Sequence, residues 1–135
     1  MTTVLDSYAL VALVLQETSA NRVADIVRGD PAAMSALNYA EAADRLIRRR
    51  GYPEHTVRIG LKTFVDAGVE LRPVDEAIGW RAGELRSRHY HRTRSPLSLA
   101  DCVALASCRP GETLATGDDA LLRAATAEGI ETAPL

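Results

Sequence analysis

The chain has 135 residues, 47% of them hydrophobic, and a formal net charge of −2. That is enough for one compact domain with a real core and too little for two, and the composition is not that of a disordered chain. The nearly neutral balance excludes a global positive field, so any contact with nucleic acid must come from local basic patches.

The chain opens on an almost unbroken apolar stretch, TVLDSYALVALVL, in which Asp6 is the only charge ahead of Glu17. TVL reads as a short strand and SYALVALVL as a helix. The first cation is Arg22, and the run from Tyr8 to Leu15 falls well short of the ~20 apolar residues a membrane span needs. A soluble, cytoplasmic chain with no membrane segment is therefore expected. The next elements are a helix over SANRVADIVRG, a strand AAMS, and helices over ALNYAEAADRLIRRRG and PEHTVRIGLKTFVDAG. VELRPV reads as a strand, Asp75 to His89 as a helix, HRTRSP as a loop and SLADCVALASC as a helix. TLAT, a helix over DDALLRAATAEG and a final strand IETA close the chain. Strands alternating with helices predict a single α/β domain over residues 1–135, its mostly parallel sheet of about five short strands flanked by helices on both faces. No internal repeat or low-complexity linker interrupts it. Cys102 and Cys108, six residues apart, have no metal-type spacing and read as reduced core residues.

Four acids hold equivalent places in this pattern. Asp6 directly follows the first strand, Glu41 lies in the early turns of the helix after AAMS, and Asp118 follows TLAT. Asp101 falls in the first turn of its helix and is the only charged residue between Arg94 and Arg109. In parallel α/β sheets such positions gather on one edge, where these folds bind ligands. Each acid also has a purely structural reading. Asp6 and Asp118 can be helix N-caps, Asp101 can complete a capping box with Ser98, and Glu41 can pair with Arg45 one turn on. Together, several ionised carboxylates at one edge repel one another unless they take up protons or hold a cation. Oxygen ligands without Cys or His suit Mg²⁺ or Mn²⁺, and the chemistry such sites serve is phosphodiester hydrolysis.

Two groups of cations could meet nucleic acid. Arg45, Arg48, Arg49 and Arg50 end the Glu41 helix, where the helix dipole alone would favour them. RSRHYHRTR carries Arg88, Arg92 and Arg94 around Tyr90 and leads into the Asp101 helix. Arg88, Arg92, Arg94 and Arg45 are the candidates for contact with RNA. His89 and His91 lack a carboxylate or thiol partner nearby and do not read as metal ligands. Trp80 stands between Gly79 and Gly83 on a helix, a spacing that serves internal packing or, with a tryptophan, a dimer or partner surface.

The ordered motifs Asp6-Ser7, NYAEAADRL with Glu41, LSLADCVALA with Asp101 and LATGDDALL with Thr116 and Asp118 resemble those of a PIN domain. The small size and near-total coverage make the chain similar to the VapC-type ribonuclease toxins of bacterial toxin–antitoxin pairs. The resemblance implies a Mg²⁺- or Mn²⁺-dependent endoribonuclease that forms a homodimer and is inhibited by a small antitoxin blocking the acidic pocket. It makes Asp6, Glu41, Asp101 and Asp118 the catalytic, metal-binding acids and Ser7 and Thr116 supporting hydroxyls. The chain departs from the pattern at Tyr8, where many relatives carry a small hydroxyl residue, and at Ala120, where some carry a further acid. Asp119 reads as a helix-start residue. Two other classes compete: a catalytically inactive PIN-like binding module and a phospho-accepting receiver domain. The receiver usually has an acidic pair after its first strand and a lysine near its last, whereas Asp6 is single and Lys62 is the only lysine.

Overall fold

In the computed structural model, which describes residues 1–135, five strands form one sheet: β1 (Thr3–Leu5), β2 (Ala32–Ser35), β3 (Glu70–Arg72), β4 (Thr113–Thr116) and β5 (Glu131–Pro134). Their order is β3-β2-β1-β4-β5, and every pairing is parallel. Parallel neighbours require crossovers, and helices supply them: α1 (Ser7–Val14), α2 (Ala20–Gly29), α3 (Ala36–Asp44), α4 (Glu54–Asp66), α5 (Glu76–His89), α6 (Leu99–Ala106) and α7 (Asp119–Ala127). Pro134 lacks a ladder donor and is tolerated because β5 is an edge strand. No helix is long and apolar enough to cross a membrane.

Period-two alternation along the strands divides the interior into two cores. Leu5, Met34 and Ala115 face one side, where Leu10, Val23, Leu46, Leu61 and Phe64 bring in α1 to α4. Val4 and Leu114 face the other, against Leu85, Val103, Leu105 and Leu121 from α5 to α7. Each such leucine or phenylalanine contributes about 1.5–3 kcal/mol by leaving water. The expected α/β architecture with helices on both faces is what forms, with the sheet entirely parallel.

Several local expectations need correction. The helix read through to Gly51 stops being an α-helix at Arg45: residues Arg45–Arg49 form a π turn, in which the Arg50 N–H donates to the Arg45 carbonyl at 3.0 Å. Of the two readings left open for Gly79 and Gly83, internal packing is the one set aside, because a Cβ at either would meet nothing within 4 Å and Trp80 between them is 73% exposed. Cys102 is buried in the second core, but Cys108 is only partly covered at the end of α6; both are free thiols.

Arg72, on the edge strand β3, is 3% exposed and was not singled out by the sequence. Its Nη1 and Nη2 donate to the two oxygens of Glu112 at 2.7 and 2.8 Å, and Nη1 also donates to the Ser107 carbonyl at 2.8 Å. The fork ties β3 to the α6–β4 connection and holds the Glu112 carboxyl below its ordinary range. Nε, 3.4 Å from Glu70, makes no hydrogen bond. Breaking a buried pair strands the remaining charge, whereas replacing both partners by apolar residues does not. Glu112→Ala is therefore expected to lower stability in urea by about 3–5 kcal/mol, with most of the loss recovered in Arg72→Met/Glu112→Leu. An unchanged midpoint in Glu112→Ala would refute the clamp.

Candidate active site

The strand order reverses between β1 and β4, since the crossovers from β1 lead one way to β2 and β3 and then back to β4 and β5. Loops on the two sides of such a point part and leave a crevice at the carboxyl ends of the strands. Asp6 follows β1 there and Asp118 follows β4. Glu41 lies on α3, which starts from the end of β2. Asp101 opens α6, joined to the start of α3 by the Asn38 side-chain amide, which donates to the Ala100 carbonyl at 3.1 Å.

Two hydroxyls organise the crevice. The Thr116 hydroxyl, fully buried, donates to Asp6 Oδ2 and accepts from the Asp118 N–H at 3.1 Å, so one oxygen joins both sides of the reversal. The Ser7 hydroxyl donates to Glu41 Oε1, linking α1 to α3. Glu41 also stands 4.0 Å from the Arg45 guanidinium, the partner expected one turn on.

Every structural reading of the aspartates is realised. Asp6 caps α1 through Oδ1, accepting from the Ala9 N–H at 3.1 Å, and Asp118 caps α7 through Oδ1, accepting from Leu121 at 2.9 Å. Asp101 and Ser98 form the capping box, with the Ser98 N–H donating to Oδ2 at 2.8 Å. These bonds leave Asp101 Oδ1 and Asp118 Oδ2 uncommitted, because a cap uses one oxygen of a carboxylate that has two.

Electrostatics report how close the acids stand. Asp6 is 3% exposed, and burial pushes its carboxyl up to about 7, with the charges of Asp101 and Asp118 adding to the rise. The Thr116 hydroxyl and the Ala9 N–H act against it. Asp101 is raised as well, first by burial and then, against its bonds to Ser98, by Asp118 and Glu41. The four acids thus feel one another at one end of the sheet. No three carboxylate, imidazole or thiol groups close into a ready metal cage. The donor set still fits a hard divalent cation that keeps part of its water shell: carboxylate oxygens only, three of them free (Glu41 Oε2, Asp101 Oδ1 and Asp118 Oδ2), around a buried acid that cannot ionise cheaply alone.

Other candidates are dispersed. Arg88 is paired with Glu128 at 2.6 Å, alongside His89 and Arg81, which hold the Glu128 carboxyl down at about 2, the His89 hydrogen bond being the largest cause. Arg92 and Arg94 are exposed on the loop after α5. That loop is ordered by His91, whose Nδ1 accepts from the Thr93 and Arg94 N–H groups at 3.2 and 3.1 Å. Arg86 donates to the Leu97 carbonyl at 2.9 Å and lies 4.4 Å over the Tyr90 ring.

Sequence reasoning passed over Gly117 between Thr116 and Asp118. A Cβ there would overlap the Tyr8 ring, so the ring lies directly on the backbone of the loop that carries Asp118. The glycine in ATGDD was the available signal, but nothing in the sequence pairs it with Tyr8.

The family model of the PIN domain matches residues 3–127. Solved structures with the same fold include VapBC2 of Rickettsia felis bound to a DNA fragment from its promoter, at TM-score 0.71 and 16% identity, covering 100% of this chain and 99% of that one. Another is VapC20 of Mycobacterium tuberculosis, a sarcin–ricin-loop-cleaving toxin, at TM-score 0.72 and 18% identity over 95% of each chain. VapBC-1 of nontypeable Haemophilus influenzae matches at TM-score 0.67 and 18% identity, over 99% and 98%. At such identities the likeness establishes the fold. No curated protein sequence matches.

The raised Asp6 makes a signed prediction. Between its ordinary pKa of 3.8 and about 7 the folded chain binds a proton that the unfolded chain has lost, so stability from this group falls as pH rises through that window. Asp6→Asn keeps the capping oxygen and removes the ionisation. In chelator at pH 8 it is expected to melt higher than the parent chain, by about 1–4 kcal/mol, with the difference gone by pH 4. A variant less stable at every pH would contradict this.

Proposed function

The chain belongs to the PIN-domain family, and from that premise we propose that it is a metal-dependent endoribonuclease acting as the toxin of a toxin–antitoxin pair. Family membership sets aside the receiver reading. The observation that carries the proposal is the electrostatic one: burial raises Asp6 and the charges of Asp101 and Asp118 add to the rise, while Asp118 and Glu41 add to that of Asp101. Such a cluster serves no folding purpose that neutral caps would not serve better.

In this reading Asp6, Glu41, Asp101 and Asp118 hold Mg²⁺ or Mn²⁺. When bound, the ion supplies Lewis acidity toward a phosphate oxygen and lowers the pKa of a water that attacks phosphorus. The chain's own residues supply orientation. The capping bonds at α6 and α7 hold Asp101 and Asp118 by one oxygen each and aim the other, while Asp6 is held by both, one from the α1 cap and one from Thr116. Thr116 holds Asp6 and the Asp118 backbone together, and Ser7, whose proton is committed to Glu41, positions that acid. Arg92 and Arg94, exposed on the loop that leads to α6, are the residues that would meet phosphates of an RNA strand.

The neighbours support an antitoxin partner. VapBC2 and VapBC-1 are toxin–antitoxin assemblies that align with this chain over nearly its full length. The proposal accordingly includes a small antitoxin that covers the acidic crevice, self-association as a homodimer, and action in the cytoplasm.

Asp6→Asn, Asp101→Asn and Asp118→Asn retain their capping oxygens, so each is expected to fold and to lose RNA cleavage by at least about 100-fold in Mg²⁺ or Mn²⁺. Folded variants that cleave at the parent rate would refute the site. For the toxin reading, expression of the parent chain is expected to arrest bacterial growth and the Asp118→Asn chain not to. Harmless expression of the parent would contradict it.

A further inference from the structure

Beside the acids lies a second pocket that the proposed chemistry does not use. It has a volume of about 400 Å³ and is lined by Tyr8, Val11, Glu17, Arg45, Arg49 and Arg50. Its position is set by covalent neighbours. Tyr8 is two residues beyond Asp6 and rests on Gly117, next to Asp118, while Arg45 is one helical turn beyond Glu41 and 4.0 Å from it. The pocket and the acidic crevice therefore share a wall.

The arginines reach one pocket because of the π turn. In an α-helix residue i+4 lies near the face of residue i and residue i+5 swings away, but a π turn closes its ring at i+5, so both flank the first. Arg49 and Arg50 thus fall beside Arg45. Arg48 points elsewhere, tied to Asp44 by two bonds of 2.8 and 2.7 Å. Arg49 and Arg50 have no ion-pair partner, and exposed Glu17 is the pocket's only acid. The helix dipole accounts for cations at this helix end. It does not account for the widened turn that collects them, or for a half-buried aromatic ring fixed against them.

We propose that Tyr8, Arg45, Arg49 and Arg50 form a subsite for the nucleotide flanking the cleaved bond, the guanidinium groups taking its phosphate and the Tyr8 ring stacking on its base. The inference rests on the reading of the chain as an RNA-cleaving enzyme and extends it to single-stranded substrate. Guanidinium forks match phosphate geometry, and an aromatic face beside a basic groove is how single strands are held without base-pair readout. A duplex would keep its bases stacked on one another and offer none to Tyr8.

The test is binding of fluorescein-labelled oligouridylate and oligoadenylate to the full chain in chelator, which separates binding from cleavage, read by anisotropy across a range of salt. Arg49→Ala/Arg50→Ala is expected to weaken binding and to flatten the salt slope by roughly 0.7 for each phosphate the variant no longer neutralises. Tyr8→Leu is expected to weaken it by about tenfold at constant salt slope, and Tyr8→Phe to restore it. The arginine variants lie on the surface, and melting curves identify any Tyr8 variant that unfolds. If the parent chain binds these strands and the arginine pair and Tyr8→Leu leave affinity and slope unchanged, the subsite is overturned while the nuclease reading stands. If the parent chain binds neither strand, both fall.

Discussion

The hydrogen bonds made by Thr116 are the constraint on which the rest of the site depends. The hydroxyl sits where the sheet reverses its order, donating across the crevice to Asp6 and accepting from the backbone of Asp118. The sheet itself cannot bring these two acids together with any precision, because each belongs to a loop leaving a different strand. The bridge does so, and it forces a carboxylate into a site with almost no water. The cost is visible as the elevated Asp6, which the neighbouring acids drive further from its ordinary ionisation.

Structural and chemical duties share the same side chains here. Asp6, Asp101 and Asp118 each fasten a helix N-terminus with one oxygen. A neutral serine or asparagine would cap equally well without the repulsion. The choice of acid at two caps and at the capping-box position beside them is what distinguishes a site from a set of helix starts. The caps also supply orientation, since a carboxylate pinned by one oxygen presents the other in a defined direction. Strain of this kind, tolerated by the fold because two separate cores hold the sheet from both faces, is the usual signature of a functional cluster.

Much of this was legible in the sequence because the signals are local. TVL runs straight into the capping Asp6, TLAT is followed after one glycine by the capping Asp118, and AAMS ends on the capping Ser35, so each strand end is marked by a cap. Asp101 stands out because its helix is otherwise uncharged, and Ser98 three residues earlier announces the box. What was hidden depends on pairs far apart in the chain. The Arg72–Glu112 fork joins residues that no periodicity relates, and an arginine on an edge strand reads as solvent-facing. Tyr8 on Gly117 is a contact between the first turn of α1 and the loop after β4, invisible until the strands are ordered. The π turn at Arg45–Arg49 has the same residue pattern as an α-helix, and only the backbone bonds reveal it. Gly79 and Gly83 left packing and surface readings open, because small residues at helical spacing mark close packing only when another helix is there.

The central claim is that the repulsion gathered around Asp6 is relieved by a divalent cation. Calorimetric titration of Mn²⁺ into the full chain at pH 7, in two buffers of different ionisation enthalpy, tests it most directly. The account predicts saturable binding that releases a proton from Asp6, with both the proton release and most of the affinity missing in Asp6→Asn. No binding, or binding of equal strength in Asp6→Asn and Asp118→Asn, would contradict it.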